Sequence, residues 1–586
     1  MKKIVVRMLA TIGALTLLST LLGVLSVLLG GARVKPGTLV EIDFSQPIGE
    51  YAPMGLAELV FPTPLVTRDL VDLLRRAADD ERVTGVIGRV GGVGMGFAQI
   101  QEVRDAVQAL SRAGKRTVAH ADTYGEFDTG TRAYYLASAF DTVYLQPSGD
   151  VSITGLVAQT PFVRDALGKL GVKPRLSARG KYKNAINVFT EQRYTEAHRE
   201  ATGAVVTGQF EQIVRGIAVA RDLELETVRG LIDRAPVGAD AALEAGLVDG
   251  LRYRDEVYEE FETPDGEDAP RLPAKRYLAR AGRPDGDRGG EKVALIYGVG
   301  SVHRGESGFG ILSGEPTMGA ETVAAAFRAA VDDEDVRAIL FRVDSPGGSY
   351  VASDTIWREV VRARREGKPV VVSMGNVAGS GGYFVAMAAD RIVAQPGTIT
   401  GSIGVLAGKM VTSDLWERLG INWDEIPAGR NATMWSTTRD FDDAQWTEVE
   451  GFLDRIYADF TGKVAAGRKL SPAEVEEVAR GRIWTGEAAQ GLGLVDALGG
   501  FATALDAIRE LLALPGDAAI DLAVFPRPRT LPEVLLARLA GEDSPVSVLP
   551  DLRARLSAIP GAPEVFGLLE SDGPLAMPYP IAYQRP

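Results

Sequence analysis

The sequence predicts an α/β protein: two tandem, related domains behind a single N-terminal transmembrane helix. Three observations carry that reading. The chain repeats itself, its apolar segments alternate between strand-like and helix-like spacing, and its first residues hold one long run without charge.

The uncharged run comes first. Lys2, Lys3 and Arg7 precede it, and no charged residue occurs from Met8 to Ala32. At 1.5 Å per residue this makes roughly 38 Å of helix, enough to cross a hydrocarbon core of about 30 Å with tilt. A cleaved signal peptide is the alternative, since Gly30-Gly31-Ala32 offers small residues at a cleavage position. Its apolar region would ordinarily be about 7–15 residues, shorter than this one. Residues 1–36 are therefore expected to be a signal anchor, single-pass in the cytoplasmic (inner) membrane. The flanking charges favour an N-terminus inside, with the remaining chain outside the cytoplasm.

The repeat comes next. Residues 79–121 align without a gap on 332–374, so Asp79-Asp80-Glu81 falls on Asp332-Asp333-Glu334 and Arg89-Val90 on Arg342-Val343. Further along, with a slightly smaller offset, Asp141 falls on Asp390, Gln146-Pro147 on Gln395-Pro396 and Gly155 on Gly404. Two homologous halves explain this economically. The expected division is 37–262 for the first domain and 263–291 for a Pro-, Gly- and Asp-rich linker. A second domain follows over 292–514, then a Pro-rich C-terminal extension over 515–586.

Within the second half, Ala338–Val343 is a short apolar run suited to a buried strand. Ile356, Val360 and Ala363 recur at helical spacing over 354–366, and Gly367 is placed to cap that helix. Val370–Val372 and Arg391–Ala394 return as strands. The alternation indicates buried sheets covered by helices.

Composition removes several chemistries. The 586-residue chain has no cysteine, three histidines (His120, His198 and His303), a net charge of −14 and a pI near 5.0. A thiol nucleophile, disulfides and cysteine-ligated metals are excluded. A histidine base has little to draw on. The acidic balance, with no basic cluster, argues against a nucleic-acid partner. No metal-ligand spacing occurs and no cofactor is expected. The glycines of 92–96 lack dinucleotide-loop spacing, and the sequon Asn431-Ala432-Thr433 is short enough to arise by chance.

Three segments of the second half carry glycine and serine at strand ends: Asp344-Ser345-Pro346-Gly347-Gly348-Ser349, Ala378-Gly379-Ser380-Gly381-Gly382-Tyr383 and Thr400-Gly401-Ser402-Ile403-Gly404. Singly, each reads as a turn. Backbone N–H groups freed by glycines can also stabilise an oxyanion, and a glycine-flanked serine before a helix is exposed for attack.

Together, DSPGG, AGSGGYF and TGSIGV resemble the bacterial signal peptide peptidases of the protease IV family, over about residues 37–510. The resemblance, in its long two-domain membrane-anchored type, implies tandem crotonase-like (Clp-protease-like) domains and a serine peptidase with a Ser/Lys dyad and no histidine. It implies Ser380 as nucleophile, Gly348 and Gly381 as the oxyanion hole, and Ser402 as the hydroxyl that orients the base. The family's Gly-x-Tyr-Lys segment matches Gly180-Lys181-Tyr182-Lys183, which implies Lys183 as base, with Lys181 as the competing residue. Most lysines are solvated surface charges, and a base near pH 7 must be shifted from about 10.4 at a cost of roughly 4–5 kcal/mol, ordinarily by desolvation. The resemblance further implies signal peptides and other hydrophobic peptides as substrates, contact with the lipid bilayer, and a homo-oligomer. The loop Gly55–Val66 is apolar enough to line such a groove or touch lipid, although burial in the core is the more ordinary fate of such a segment.

The repeat divides the labour independently. Ser380-Gly381-Gly382 falls on Thr131-Arg132-Ala133, and the glycine pair Gly347-Gly348 falls on Gly94-Met95. Opposite the lysine segment stands Gly429-Arg430-Asn431-Ala432, without a lysine; an arginine cannot serve as a base. One half is expected to supply the base and the other the nucleophile. The alternatives are a crotonase-type acyl-CoA enzyme, in which the same glycine loops hold a thioester enolate, and a catalytically inactive membrane scaffold.

Overall fold

The computed structural model describes residues 33–51, 65–261, 269–284, 289–309 and 315–526, together with the backbone of Leu575–Ala576. The expected anchor apart from its last four residues, and the loop Gly55–Val66 apart from its last two, lie outside the described residues. Among the described residues no helix is long and apolar enough to cross a membrane.

Each half is built on a parallel sheet. In the first, the strand order is Gly250–Leu251, Thr142–Leu145, Arg116–Ala121, Val83–Arg89, Thr38–Asp43 and Arg271–Pro273. The second repeats that order with Ala497–Leu498, Arg391–Ala394, Val370–Gly379, Val336–Ser345, Glu291–Val299 and Ile520–Phe525, again all parallel. Parallel strands covered on both faces read as continuous apolar runs. Ala338–Val343 does so because every one of its side chains is buried. The second sheet also carries Ile399–Gly401 beside Val370–Gly379, with Ile483–Thr485 antiparallel at its edge.

Helices cover the sheets. Tyr350–Arg365 turns Ala352, Ile356, Val360 and Ala363 inward, and Gly367 follows at φ 82°, the left-handed turn that ends it. Two 26-residue helices, Glu196–Arg221 and Asp443–Arg468, stand at matching places. Their last turns are tied alike, Arg221 to Asp249 and Arg468 to Asp496, a basic side chain at each helix C-terminus.

Two boundaries differ from the expected ones. The segment read as a linker contributes Arg271–Pro273 to the first sheet and the helix Ala274–Ala281, whose Tyr277 is buried and donates to Asp80. The extension read from 515 begins with Ile520–Phe525, which pairs with Glu291–Val299 as the matching edge strand. Both are short edge strands beside Pro- and Gly-rich chain, so composition masked them; an edge tolerates Pro273 because its N–H side needs no partner.

Among the described residues, one strand pair crosses between the halves. Lys173–Arg179 of the first runs antiparallel to Val405–Val411 of the second, with Arg179 opposite Val405. That register sets 180–183 directly beside 402–404.

Candidate active site

The lysine segment leaves its cross-half strand at Gly180 and is held by the second half. Tyr182 N–H donates to Arg480 O at 2.9 Å, Gly481 N–H to Ile403 O at 2.7 Å and Ser402 N–H to Arg482 O at 2.8 Å. Residues 480–482 thus stitch the loop to the Ser402 turn. Lys183 is 3% exposed, whereas Lys181 is exposed and lies over the Tyr182 ring, 4.5 Å from its centroid.

Ser380 ends the strand Val370–Gly379 and begins the helix Gly381–Ala386. Its φ of 54° and ψ of −114° fall where non-glycine residues are rarely found, a strain of about 1–3 kcal/mol. Two backbone hydrogen bonds hold it there: its N–H donates to Gly401 O, and its carbonyl accepts from Phe384 N–H, each at 2.8 Å. This sharp turn aims the side chain at the first half.

Lys183 Nζ lies 2.7 Å from Ser380 Oγ, 3.1 Å from Ser402 Oγ and 3.2 Å from Ser402 O. All three side chains are buried. Burial alone pushes the Lys183 amine down to about 7, because desolvation disfavours the ammonium and no carboxylate contributes. A neutral amine hydrogen-bonded to a serine hydroxyl can take its proton and leave a nucleophilic oxygen.

The glycines expected to bind an oxyanion lie beside this pair. Gly347–Gly348 forms a short strand against Val302, and a Cβ on Gly348 would overlap the Val302 carbonyl. A Cβ on Gly381 would lie 2.7 Å from Ser353 Oγ and 3.0 Å from Gly348 N, so the two backbones approach as only glycines can. The other edge of Gly347–Gly348 pairs antiparallel with the backbone of Leu575–Ala576. That edge accepts extended polypeptide.

The peptidase S49 family model matches residues 109–266 and 362–514, just over half the chain and part of each half. The chain belongs to peptidase family S49. It is 31% identical over 512 residues to the chloroplastic serine protease SPPA of Arabidopsis thaliana, covering 86% of this chain and 73% of the relative. It is 30% identical over 457 residues to Protease 4 of Salmonella typhi, covering 76% and 72%. Among solved structures it matches a ClpP1 mutant of Listeria monocytogenes with a TM-score of 0.24 and 15% identity, over 36% of this chain and 94% of that one.

This S49 serine peptidase thus gathers Lys183, Ser380, Ser402, Gly348 and Gly381 in one place and leaves Lys181 outside it. The three histidines are occupied elsewhere: His120 Nε2 with Arg252 O, His198 Nδ1 with Asn187, and His303 Nε2 with Thr317. Sequence reasoning missed the residues that seat the peptidase's lysine loop, Arg480-Gly481-Arg482. Their glycine, packed on the Lys183 backbone, was the available signal. It also missed the buried ionic cluster Glu50, Glu102 and Arg342, although Arg342 had stood out as a repeat match.

Proposed function

We propose that this serine peptidase digests signal peptides and other hydrophobic peptides at the outer face of the cytoplasmic membrane, with Ser380 as nucleophile and Lys183 as base. The observation that carries the reading is the buried 2.7 Å contact between Lys183 Nζ and Ser380 Oγ. Neutral Lys183 accepts the Ser380 proton as Oγ bonds to the scissile carbonyl carbon. The carbonyl π pair moves onto oxygen, where the N–H groups of Gly348 and Gly381 stabilise it. Collapse breaks the C–N bond, and the Lys183 ammonium passes its proton to the leaving amine. Water then adds to the ester with Lys183 taking one proton, and collapse returns that proton to Ser380 and releases the new carboxylic acid.

The strand edge at Gly347–Gly348 supports a peptide substrate: it already holds extended backbone, as β-strand addition requires. An acyl-CoA enzyme of the crotonase type would need the glycine loops but neither a nucleophile nor a desolvated lysine. Each half is proposed as a crotonase-like (Clp-protease-like) domain. The uncharged run of 8–32 supports a single-pass anchor, and assembly as a homo-oligomer belongs to the same reading. Fluorophosphonate labelling of the purified full-length protein tests it. Modification at Ser380, lost in Lys183→Ala, is expected; an unlabelled protein that binds coenzyme A would refute the dyad.

A further inference from the structure

Arg89 and Arg342 occupy equivalent positions on matching strands, yet their surroundings have diverged. Arg89 is partly exposed and meets Asp43 of its own half at 3.3 Å. Arg342 is fully buried and faces the other half. Its Nε donates to Glu50 Oε2 at 3.0 Å, and its Nη2 to Glu50 Oε1 and Glu102 Oε2, each at 2.9 Å. Nη1 donates to Ser373 Oγ at 2.7 Å, and the guanidinium stacks 4.6 Å from the Phe501 ring centroid. Glu102 Oε1 in turn accepts the Phe501 N–H at 2.5 Å. Two carboxylates of the first half are therefore bound to one cation of the second.

This cluster is continuous with the active site. Two residues beyond Arg342 the pairing of Val336–Ser345 with Val370–Gly379 slips: Val343 faces Met374, but Ser345 faces Ala378. Asp344 fills the bulge and accepts the Val377 N–H at 2.8 Å. The bulged Asn376 reaches the first half, taking Gln99 N–H at 3.2 Å and donating to Gln99 Oε1 at 2.8 Å. One strand then continues to Gly347–Gly348 and the other to Ser380.

We propose that Arg342 is a positioning residue for the dyad: by clamping Glu50 and Glu102 it fixes how tightly the second half closes over Lys183. The inference rests on the Ser380/Lys183 reading. The lysine belongs to the first half and much of its cover to the second, so the water around its amine depends on how the halves meet. Burial is the only cause of its lowered basicity, which makes that basicity a gauge of closure. The cluster also carries more acid than base. Glu102 and Asp344 are both held above the usual carboxylate range, by burial first and by Glu50 next to them. Arg68, Asp72 and Tyr297 also belong to the charged and titratable surroundings of Glu50 and Arg342.

The test is the rate of fluorophosphonate modification of Ser380 against pH in the full-length protein. Arg342→Met should move the midpoint of the acidic limb upward by at least one pH unit as the lysine rehydrates. Glu102→Gln should move it less, in the same direction. Arg215→Ala, which breaks the exposed cross-half pair with Glu487, should leave it in place. A folded Arg342→Met with the wild-type midpoint overturns the proposal, as does an equal shift in Arg215→Ala. If Arg342→Met does not fold, unchanged midpoints in both Glu50→Gln and Glu102→Gln overturn it. Wild type that is not labelled at Ser380 refutes the dyad itself, a separate result.

Discussion

Lys183 and Ser380 are separated by 197 residues and belong to different halves, yet their reactive atoms lie 2.7 Å apart. Neither half holds both. The contact depends on an antiparallel strand pair in which Arg179 faces Val405, because that register brings the lysine loop onto the Ser402 turn.

Removing either member should stop catalysis without unfolding the protein. Ser380→Ala and Lys183→Ala are each expected to lower peptide hydrolysis by roughly a thousandfold or more, the range for losing a nucleophile or its base. Lys181→Ala should retain wild-type activity, since that side chain is exposed on Tyr182. Steady-state kinetics on a fluorogenic apolar peptide separates the three; an inactive, folded Lys181→Ala would reassign the base.

Activity should rise with pH through about 7, where the buried Lys183 amine loses its proton. Stability carries the same signature. The folded-state value lies below the unfolded one, so the unfolded chain binds the extra proton between them. The lysine's contribution is intact above its ordinary value of 10.5 and is lost as pH falls to about 7, at about 1.4 kcal/mol per pH unit. Denaturant titrations of wild type and Lys183→Met across that window should show the slope in the first and its absence in the second.

Gly348→Ala should damage turnover more than binding. Its φ of 152° and the overlap of a Cβ with Val302 O force the backbone donor to move. A loss of about a hundredfold to a thousandfold in kcat is expected for a misplaced oxyanion donor. A variant with normal kcat and raised KM would place the oxyanion elsewhere.

Ending the chain at residue 570 should improve peptide cleavage. Leu575–Ala576 lies on the edge of Gly347–Gly348 that a peptide strand would use, so its removal frees that edge. KM is expected to fall severalfold with kcat unchanged. A KM that rises would instead make the segment part of the substrate groove.

Much of the site was legible because its chemistry is local. The glycines around Gly348 and Ser380 mark backbone that approaches other backbone, and the failure of the first half to repeat them set the second half apart as the place to expect a nucleophile. The choice between Lys183 and Lys181 was not legible from spacing alone. Two residues apart, they differ in burial because Lys183 is directed at Ser380 and Ser402, whereas Lys181 lies over the Tyr182 ring. Glu50 and Glu102 gave no signal either, since a carboxylate in sequence reads as surface charge until a buried guanidinium is seen beside it.

By itself the sequence determined the α/β alternation, the duplication and the exclusion of cysteine chemistry. These follow from side-chain period and residue inventory, which every segment carries within itself. Only the tertiary structure decided which lysine is desolvated, which arginine is buried and how the edge strands extend each half. Those outcomes depend on contacts between residues hundreds of positions apart, where packing of one half against the other sets the local dielectric and thereby the chemistry.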